Sequence, residues 1–335
     1  MKITASYLDS LFESFKNFKV LIIGDVMVDS YYWGKVDRIS PEAPVPIVAV
    51  DRKESRMGGA ANVALNIQAL GATPILCSII GEDEAGEIFI NLLSKNKQSK
   101  VGMLQLPGRK TTQKTRVIGN NHQMLRVDSE ETKSISGSVE ENYINLIKTC
   151  IDKQGVDLVL FEDYDKGLIT EKLIQSTVDY CNEKKIPTTV DPKKRNFSFY
   201  KNVSLFKPNL KELKEGLKID FDVNQLDELE AAIEKQEQLL NNKITLITLS
   251  ELGVFIKSEK EKHHIKAHLR KILDVSGAGD TVIAVSSLCL AAKCDLKLIA
   301  ALSNLAGGLV CENVGVVPIN KENLLEESKR LLIQN

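Results

Sequence analysis

Asp274-Val275-Ser276-Gly277-Ala278-Gly279-Asp280-Thr281 joins a turn without bulky side chains to a long apolar run, Val282 to Ala292, which predicts a buried helix. A glycine-lined helix N-terminus is thereby set in the protein interior. Its first backbone N–H groups have no partner within the helix and lie at the positive end of the helix dipole, so they favour an anion. Asp280 falls in the first turn. A carboxylate there is a poor anion ligand, because like charges repel, but it is suited to take the proton from a hydroxyl attacking phosphorus. Taken alone, the same residues read as a turn and a helix cap, so the rest of the chain has to decide.

The chain has 335 residues, 43% hydrophobic and 27% charged, which suits a soluble protein with a large core and excludes a disordered one. A formal net charge of −1 speaks against a nucleic-acid partner, and no apolar run approaches the roughly 18 residues that span a bilayer. Cys77, Cys150, Cys181, Cys289, Cys294 and Cys311 are scattered through mostly apolar segments without C-x-x-C or histidine at ligand spacing, so buried free thiols are expected rather than zinc or disulfides. Met1 to Lys19 is amphipathic and carries Asp9 and Glu13, unlike a secretory signal, which places the protein in the cytoplasm.

Val20-Leu21-Ile22-Ile23-Gly24 reads as a strand buried on both faces of a parallel sheet, with Asp25 and Asp29 at its carboxyl end, where ligands bind. No second or third glycine follows, so a dinucleotide fingerprint is excluded; an aspartate suits sugar hydroxyls, against a solvated loop aspartate, a reading that fits Asp29 better than Asp25. Tyr31 to Val50 has three prolines and no helical period, and with the hairpin at Lys114 to Ile118 and Gln123 to Asp128 it predicts a β lid outside the main sheet, at about 30–50 and 112–128. Gly58 and Gly59 open a helix and let a ligand approach the backbone, and Asn62 faces away from the apolar stripe, either toward sugar hydroxyls or simply exposed. Parity leaves open whether Arg116 and Arg126 converge or are exposed strand arginines.

From Val139 onward, helical and strand patterns alternate: helices at 139–153 and 170–184, strands at 156–162, 187–190 and 203–206. This predicts an α/β doubly wound, mostly parallel sheet flanked by helices. Strand ends carry Asp163-Tyr164-Asp165-Lys166-Gly167 and Asp191-Pro192-Lys193-Lys194-Arg195; Lys166 is the better candidate for an anionic group. Asn209 and Glu212 have capping-box spacing, and Thr248, Ser250 and Gly253 form a turn between strands that could line a nucleotide. No Walker A sequence is present, so phosphate chemistry would use the Gly277 to Asp280 loop.

Taken together, Gly24-Asp25, Gly58-Gly59-Ala60-Ala61-Asn62, Asn209-x-x-Glu212, Thr248-x-Ser250-x-x-Gly253 and Asp274-x-x-Gly277-Ala278-Gly279-Asp280 resemble, in type and order, the ribokinase-like sugar kinases of the phosphofructokinase B type, from about Lys19 to Ile319. The resemblance implies one kinase domain over 1–335, Asp280 as base, and the amides of Gly277, Ala278 and Gly279 as the anion hole. It implies Asp25, Asp29, Gly58, Gly59, Asn62, Arg126 and Lys166 at the sugar, and Asn209, Glu212, Thr248, Ser250, Gly253 and Asn304 at ATP. Asn209 and Glu212 would also serve Mg2+, directly or through water, and Asp274 with Ser276 a monovalent cation such as K+. Ser250 departs from the glycine of many members.

Arg38-Ile39-Ser40-Pro41-Glu42-Ala43-Pro44-Val45-Pro46 and Asp163-Tyr164-x-Lys166-Gly167 resemble, within that family, the kinases acting on D-glycero-β-D-manno-heptose 7-phosphate at the anomeric hydroxyl for lipopolysaccharide core. A kinase for another sugar or a nucleoside, or a non-catalytic sugar sensor, is the alternative. Some relatives add a nucleotidyltransferase marked by H-x-G-H; His122, His263, His264 and His268 never take that spacing, so adenylyl transfer is expected of another protein. Exposed lid edges lead to the expectation of a homodimer through the lid, with a small sugar phosphate as the other partner.

Overall fold

The computed structural model describes residues 3–333. In chain order it contains α1 (Ala5–Ser14), β1 (Lys19–Gly24), β2 (Val26–Ile39), β3 (Pro46–Gly59), α2 (Ala60–Ala69), β4 (Thr73–Gly81), α3 (Glu84–Lys95), β5 (Gly102–Leu106), β6 (Gln113–Gly119), β7 (His122–Ser129), α4 (Gly137–Gln154) and β8 (Leu158–Glu162). There follow α5 (Glu171–Glu183), β9 (Thr188–Asp191), β10 (Leu205–Phe206), α6 (Leu210–Leu217), α7 (Leu226–Leu240), β11 (Ile244–Thr248), β12 (Val254–Ser258), β13 (Lys262–Ile265), α8 (Ala278–Ala291), α9 (Leu296–Val310) and α10 (Lys321–Leu332). Nine strands make one sheet in the order β13-β12-β11-β10-β9-β8-β1-β4-β5. It is parallel from β5 to β11, with β12 and β13 antiparallel at one edge.

The unbroken apolar run of β1 has a simple cause. Val20 and Ile22 enter the core beneath α2, α8 and α9, whereas Leu21 and Ile23 enter the one beneath α4, α5 and α7. Both faces are covered, so no position can be polar. After β1 the chain builds β4 and β5 to one side and later β8 to β11 to the other. The order therefore reverses between β1 and β8, and the crevice at their carboxyl ends is where an α/β sheet binds ligands. Asp25 follows β1 and Asp163 follows β8 at that point.

The β lid is larger than its sequence suggested. β2 starts directly after Asp25, pairs antiparallel with β3 from Val26↔Gly59 to Ile39↔Pro46, and pairs in parallel with β6, which in turn pairs with β7. Because β3 runs straight into α2, the lid is rooted in the crevice at both ends. Gly58 and Gly59 close a strand rather than open a helix, which begins at Ala60. Asp29, for which a solvated loop was the alternative to a place at the sugar, is buried within β2. Of the six cysteines five are buried and Cys294 is partly so, all with free thiols. Among the described residues no helix is long and apolar enough to cross a membrane.

Candidate active site

Gly277 caps α8 with φ +79°, a left-handed conformation that glycine adopts without strain, and the first turn of the buried helix follows it, with the Ala278 N–H donating to Val275 O at 3.2 Å. Asp280 is the third residue of that helix and is 7% exposed. Its Oδ2 accepts the Asn62 amide at 2.6 Å and its Oδ1 accepts the Tyr164 hydroxyl at 2.9 Å. Burial pushes its carboxyl above the ordinary range, helped by the charge of Asp191, while the bonds from Asn62 and Tyr164 and the charge of Lys207 pull it back. A raised but still ionisable carboxylate is what a general base requires. Asn62 is buried, against the reading that left it exposed, because α2 packs on α8. Its Oδ1 is buried without a hydrogen-bond partner.

Asp25 stands at the carboxyl end of β1, as its sequence suggested, and its carboxylate is held by backbone amides. Its Oδ2 accepts the backbone N–H groups of Tyr164 at 3.3 Å and Lys166 at 3.0 Å, and its Oδ1 accepts that of Leu168 at 3.1 Å. Both oxygens are thus taken by the loop after β8, and Asp25 holds that loop rather than reaching into open space. Burial raises its carboxyl despite those three bonds. Asp29 accepts Arg116 Nη1 at 2.6 Å, and a methyl on Gly58 would stand 2.1 Å from Asp29 Oδ2, so only glycine allows this approach. The strand register sets Arg126 directly opposite Arg116, which answers the question parity left open; Arg126 itself bonds Asp128 Oδ1 at 3.0 Å and is half exposed. Lys166 Nζ lies 2.8 Å from Glu130.

Asn209 and Glu212 form the capping box of α6, with Asn209 N donating to Glu212 Oε2 at 2.9 Å and Glu212 Oε1 paired with Lys193. Asn209 bridges to Thr248 at the end of β11. Ser250 has φ +54°, a conformation that explains why glycine is common in that turn. A methyl on Gly253 would strike Ile265 O, and Asn304 Nδ2 donates to Lys266 O at 2.9 Å, so these two residues grip one segment after β13. Asp274 accepts the N–H groups of Ser276 and Gly315, both at 2.9 Å, which hold its carboxyl below its ordinary value against the burial that raises it.

Three residues escaped the sequence reading. Lys207, 2% exposed, pairs with Asp191 at 2.7 Å, and a methyl on Gly279 would lie 3.7 Å from its Nζ and 3.6 Å from Asp191 Oδ2. A cation therefore stands beside the amide loop. Burial opposes its charge, but Asp191 and Glu212 outweigh this and raise its ammonium. Glu162, with Oε2 unpartnered, is pushed well up by burial and by Asp191 and Asp280. Tyr164 was quoted only as part of a motif, yet its hydroxyl bonds Asp280.

The family model for pfkB family carbohydrate kinases matches residues 17–323. The chain belongs to the pfkB family of carbohydrate kinases. The kinase is 38% identical over 311 residues to the bifunctional protein HldE of Desulfatibacillum aliphaticivorans, an alignment covering 92% of this chain and 63% of that protein. It is also 38% identical over 320 residues to HldE of Trichlorobacter lovleyi, covering 95% and 64%. This kinase thus spans less than two thirds of the length of those relatives. Its fold matches Escherichia coli phosphofructokinase-2 in complex with potassium, with TM-score 0.75, 18% identity and coverage of 95% and 99%. It likewise matches Arabidopsis thaliana ribokinase complexed with ribose and ATP, with TM-score 0.69, 14% identity and coverage of 92% and 98%.

Proposed function

We propose that this carbohydrate kinase transfers the γ-phosphoryl group of ATP to the anomeric hydroxyl of D-glycero-β-D-manno-heptose 7-phosphate, giving the 1,7-bisphosphate for lipopolysaccharide core synthesis in the cytoplasm. The observation that carries the proposal is the loop after β8, which Asp25 anchors by three amides, which places Tyr164 on Asp280 and which offers Lys166 as a cation at the lid. One short loop thus joins the base to a group suited to a substrate that already carries phosphate. The likeness to the HldE relatives supports the reading as a sugar kinase.

In this reading Asp280 accepts the proton of the attacking hydroxyl, and the Gly277, Ala278 and Gly279 amides with Lys207 offset the charge that builds on the moving phosphoryl group. Asn62 Oδ1 orients a sugar hydroxyl, and Asp29 and Arg116 face the sugar from the lid. ATP would lie along Asn209, Thr248, Ser250, Gly253 and Asn304. Mg2+ keeps several waters and needs only one or two carboxylates beside the phosphates; Glu212 would be that carboxylate, with Asn209 beside it. When bound, the ion neutralises phosphate charge. Asp274 and Ser276 are assigned to K+, and the lid to a homodimer.

The test is a substrate panel read by ADP release, with heptose 7-phosphate, heptose, ribose, fructose and adenosine. Heptose 7-phosphate is expected to be turned over far better than the rest. Equal use of heptose with and without its phosphate would overturn the assignment, and no ADP release with any of them would make the protein a sensor.

A further inference from the structure

The lid and the loop after β8 meet in a cluster of charges that the proton transfer does not use. Glu130 Oε2 lies 2.8 Å from Lys166 Nζ and 3.5 Å from Lys114 Nζ, and Lys114 also pairs with Asp128 at 2.8 Å. The two lysine side chains are 17% and 19% exposed, so they are held in place rather than waving in solvent. Arg126 on the neighbouring strand shares Asp128. Three cations thus face two carboxylates.

One carboxylate oxygen between two ammonium groups that come from different parts of the chain occupies the position a phosphate oxygen would take. We infer that Lys114 and Lys166 form the seat for the phosphate the sugar carries into the site, and that Glu130 fills this seat until the phosphate displaces it. This rests on the reading of the substrate as a sugar phosphate. The charge count favours the exchange, because a phosphomonoester brings up to two negative charges where Glu130 brings one, and the cluster has a cation in excess. Glu130 is free to leave. It follows β7, whose last residue is Ser129, and precedes the irregular stretch before α4, so its departure breaks no strand pairing.

The seat is also joined to the chemistry. The Lys166 N–H is bound to Asp25 and the neighbouring Tyr164 hydroxyl to Asp280, so an anion on Lys166 loads the loop that carries the bond to the base. A sugar lacking its phosphate leaves Glu130 in place and the lid pinned to that loop. Selectivity then comes from a barrier that only a phosphorylated sugar removes, as well as from a contact that it gains.

The experiment uses inorganic phosphate as the probe, titrated by calorimetry into the whole protein saturated with ADP, together with KM values for heptose 7-phosphate and ATP. Lys114→Ala and Lys166→Ala should each weaken phosphate binding and raise KM for the sugar phosphate by about 10- to 100-fold, the worth of one bond between charged groups, with KM for ATP within about twofold. Glu130→Gln should act in the opposite direction and tighten phosphate binding several-fold, which loss of a merely structural ion pair would not do. Melting curves confirm that each variant is folded, with Lys114→Gln replacing any that is not. Phosphate binding that is unchanged in Lys114→Ala, or weaker in Glu130→Gln, overturns the seat. If phosphate binding follows all three variants while heptose 7-phosphate is not turned over, the seat stands and the substrate assignment falls.

Discussion

Tyr164→Phe removes one atom from the site, and its effect can be worked out in sign and size. The hydroxyl donates to Asp280 Oδ1 at 2.9 Å inside a buried pocket, so it favours the ionised carboxylate, and burial pushes the phenol well up, which keeps it a donor. A hydrogen bond to a charged group contributes about 1.5–3 kcal/mol. Without it the protonated form of Asp280 gains by that amount, and the acid limb of the kcat/KM profile moves to higher pH. At a fixed pH on that limb the rate should fall by about 10- to 100-fold, since 1.4 kcal/mol is a factor of ten. On the plateau, where Asp280 is ionised in both proteins, the rate should stay within a few-fold. The assay is ADP release across the pH range with the best sugar of the panel. A uniform loss at every pH would mean that Tyr164 only packs, and an unmoved acid limb would refute the claim that its hydroxyl tunes the base.

Asp280→Asn should lower kcat by about 10² to 10⁴ with nucleotide affinity retained, as measured by turnover and ATP titration; unchanged turnover removes Asp280 as the base. Replacing a bulky organic cation by potassium at fixed ionic strength should raise activity, and a flat response would remove the ion site at Asp274 and Ser276. Sedimentation should show a dimer at micromolar concentration that Leu125→Lys and Val127→Glu in the lid dissociate; a monomer in the parent protein counts against the lid contact. Asp163, raised by burial and Asp25 to about 6, binds its proton more tightly folded than unfolded, so the protein loses stability as pH rises from about 4 through 6, by up to about 3 kcal/mol. Urea midpoints at pH 4 and 6.5 should differ less in Asp163→Asn than in the parent, and an equal difference would exclude Asp163 as the source.

The parallel sheet was legible because β1 and β8 are buried on both faces and leave unbroken apolar runs, and β4 is interrupted only by Ser78. The sheet edges were not: β5 ends in Leu104-Gln105-Leu106 and β13 is Lys262-His263-His264-Ile265, short runs whose polar residues fit an edge strand or a loop equally well. The buried helix after Gly277 was legible because its apolar run, Val282 to Ala292, is long, whereas Asp280 alone also fitted a cap. Lys207 was not, because a lysine next to a capping box ordinarily lies in solvent; its burial depends on Asp191, 16 positions earlier in the chain and brought alongside by the β9 and β10 pairing. The surroundings of Asp25 were equally hidden. An aspartate at a strand end reads as a ligand group, yet its partners are amides 139 to 143 residues later, a separation over which local pattern carries no signal.

The buried charges at the sheet edge admit one further step. Glu162, Asp191 and Asp280 crowd the carboxyl ends of β8 and β9 and the start of α8, and Lys207 with Lys193 does not fully balance them, since Glu212 occupies Lys193. Placing a phosphate near three carboxylates would be unfavourable if all were ionised. Glu162, the one without a partner for Oε2, is pushed well up by burial and by the charges of Asp191 and Asp280, which favours its neutral form and so lessens the negative charge in the crevice. Glu162→Gln, which fixes that neutral state, should therefore leave nucleotide affinity within about twofold at pH 7 and flatten its decline at alkaline pH, because the substitution removes the ionisation that the like charges of Asp191 and Asp280 resist. Isothermal titration of the nucleotide at pH 7 and pH 9 decides it, and a large loss of affinity already at pH 7 would show that Glu162 works as an anion.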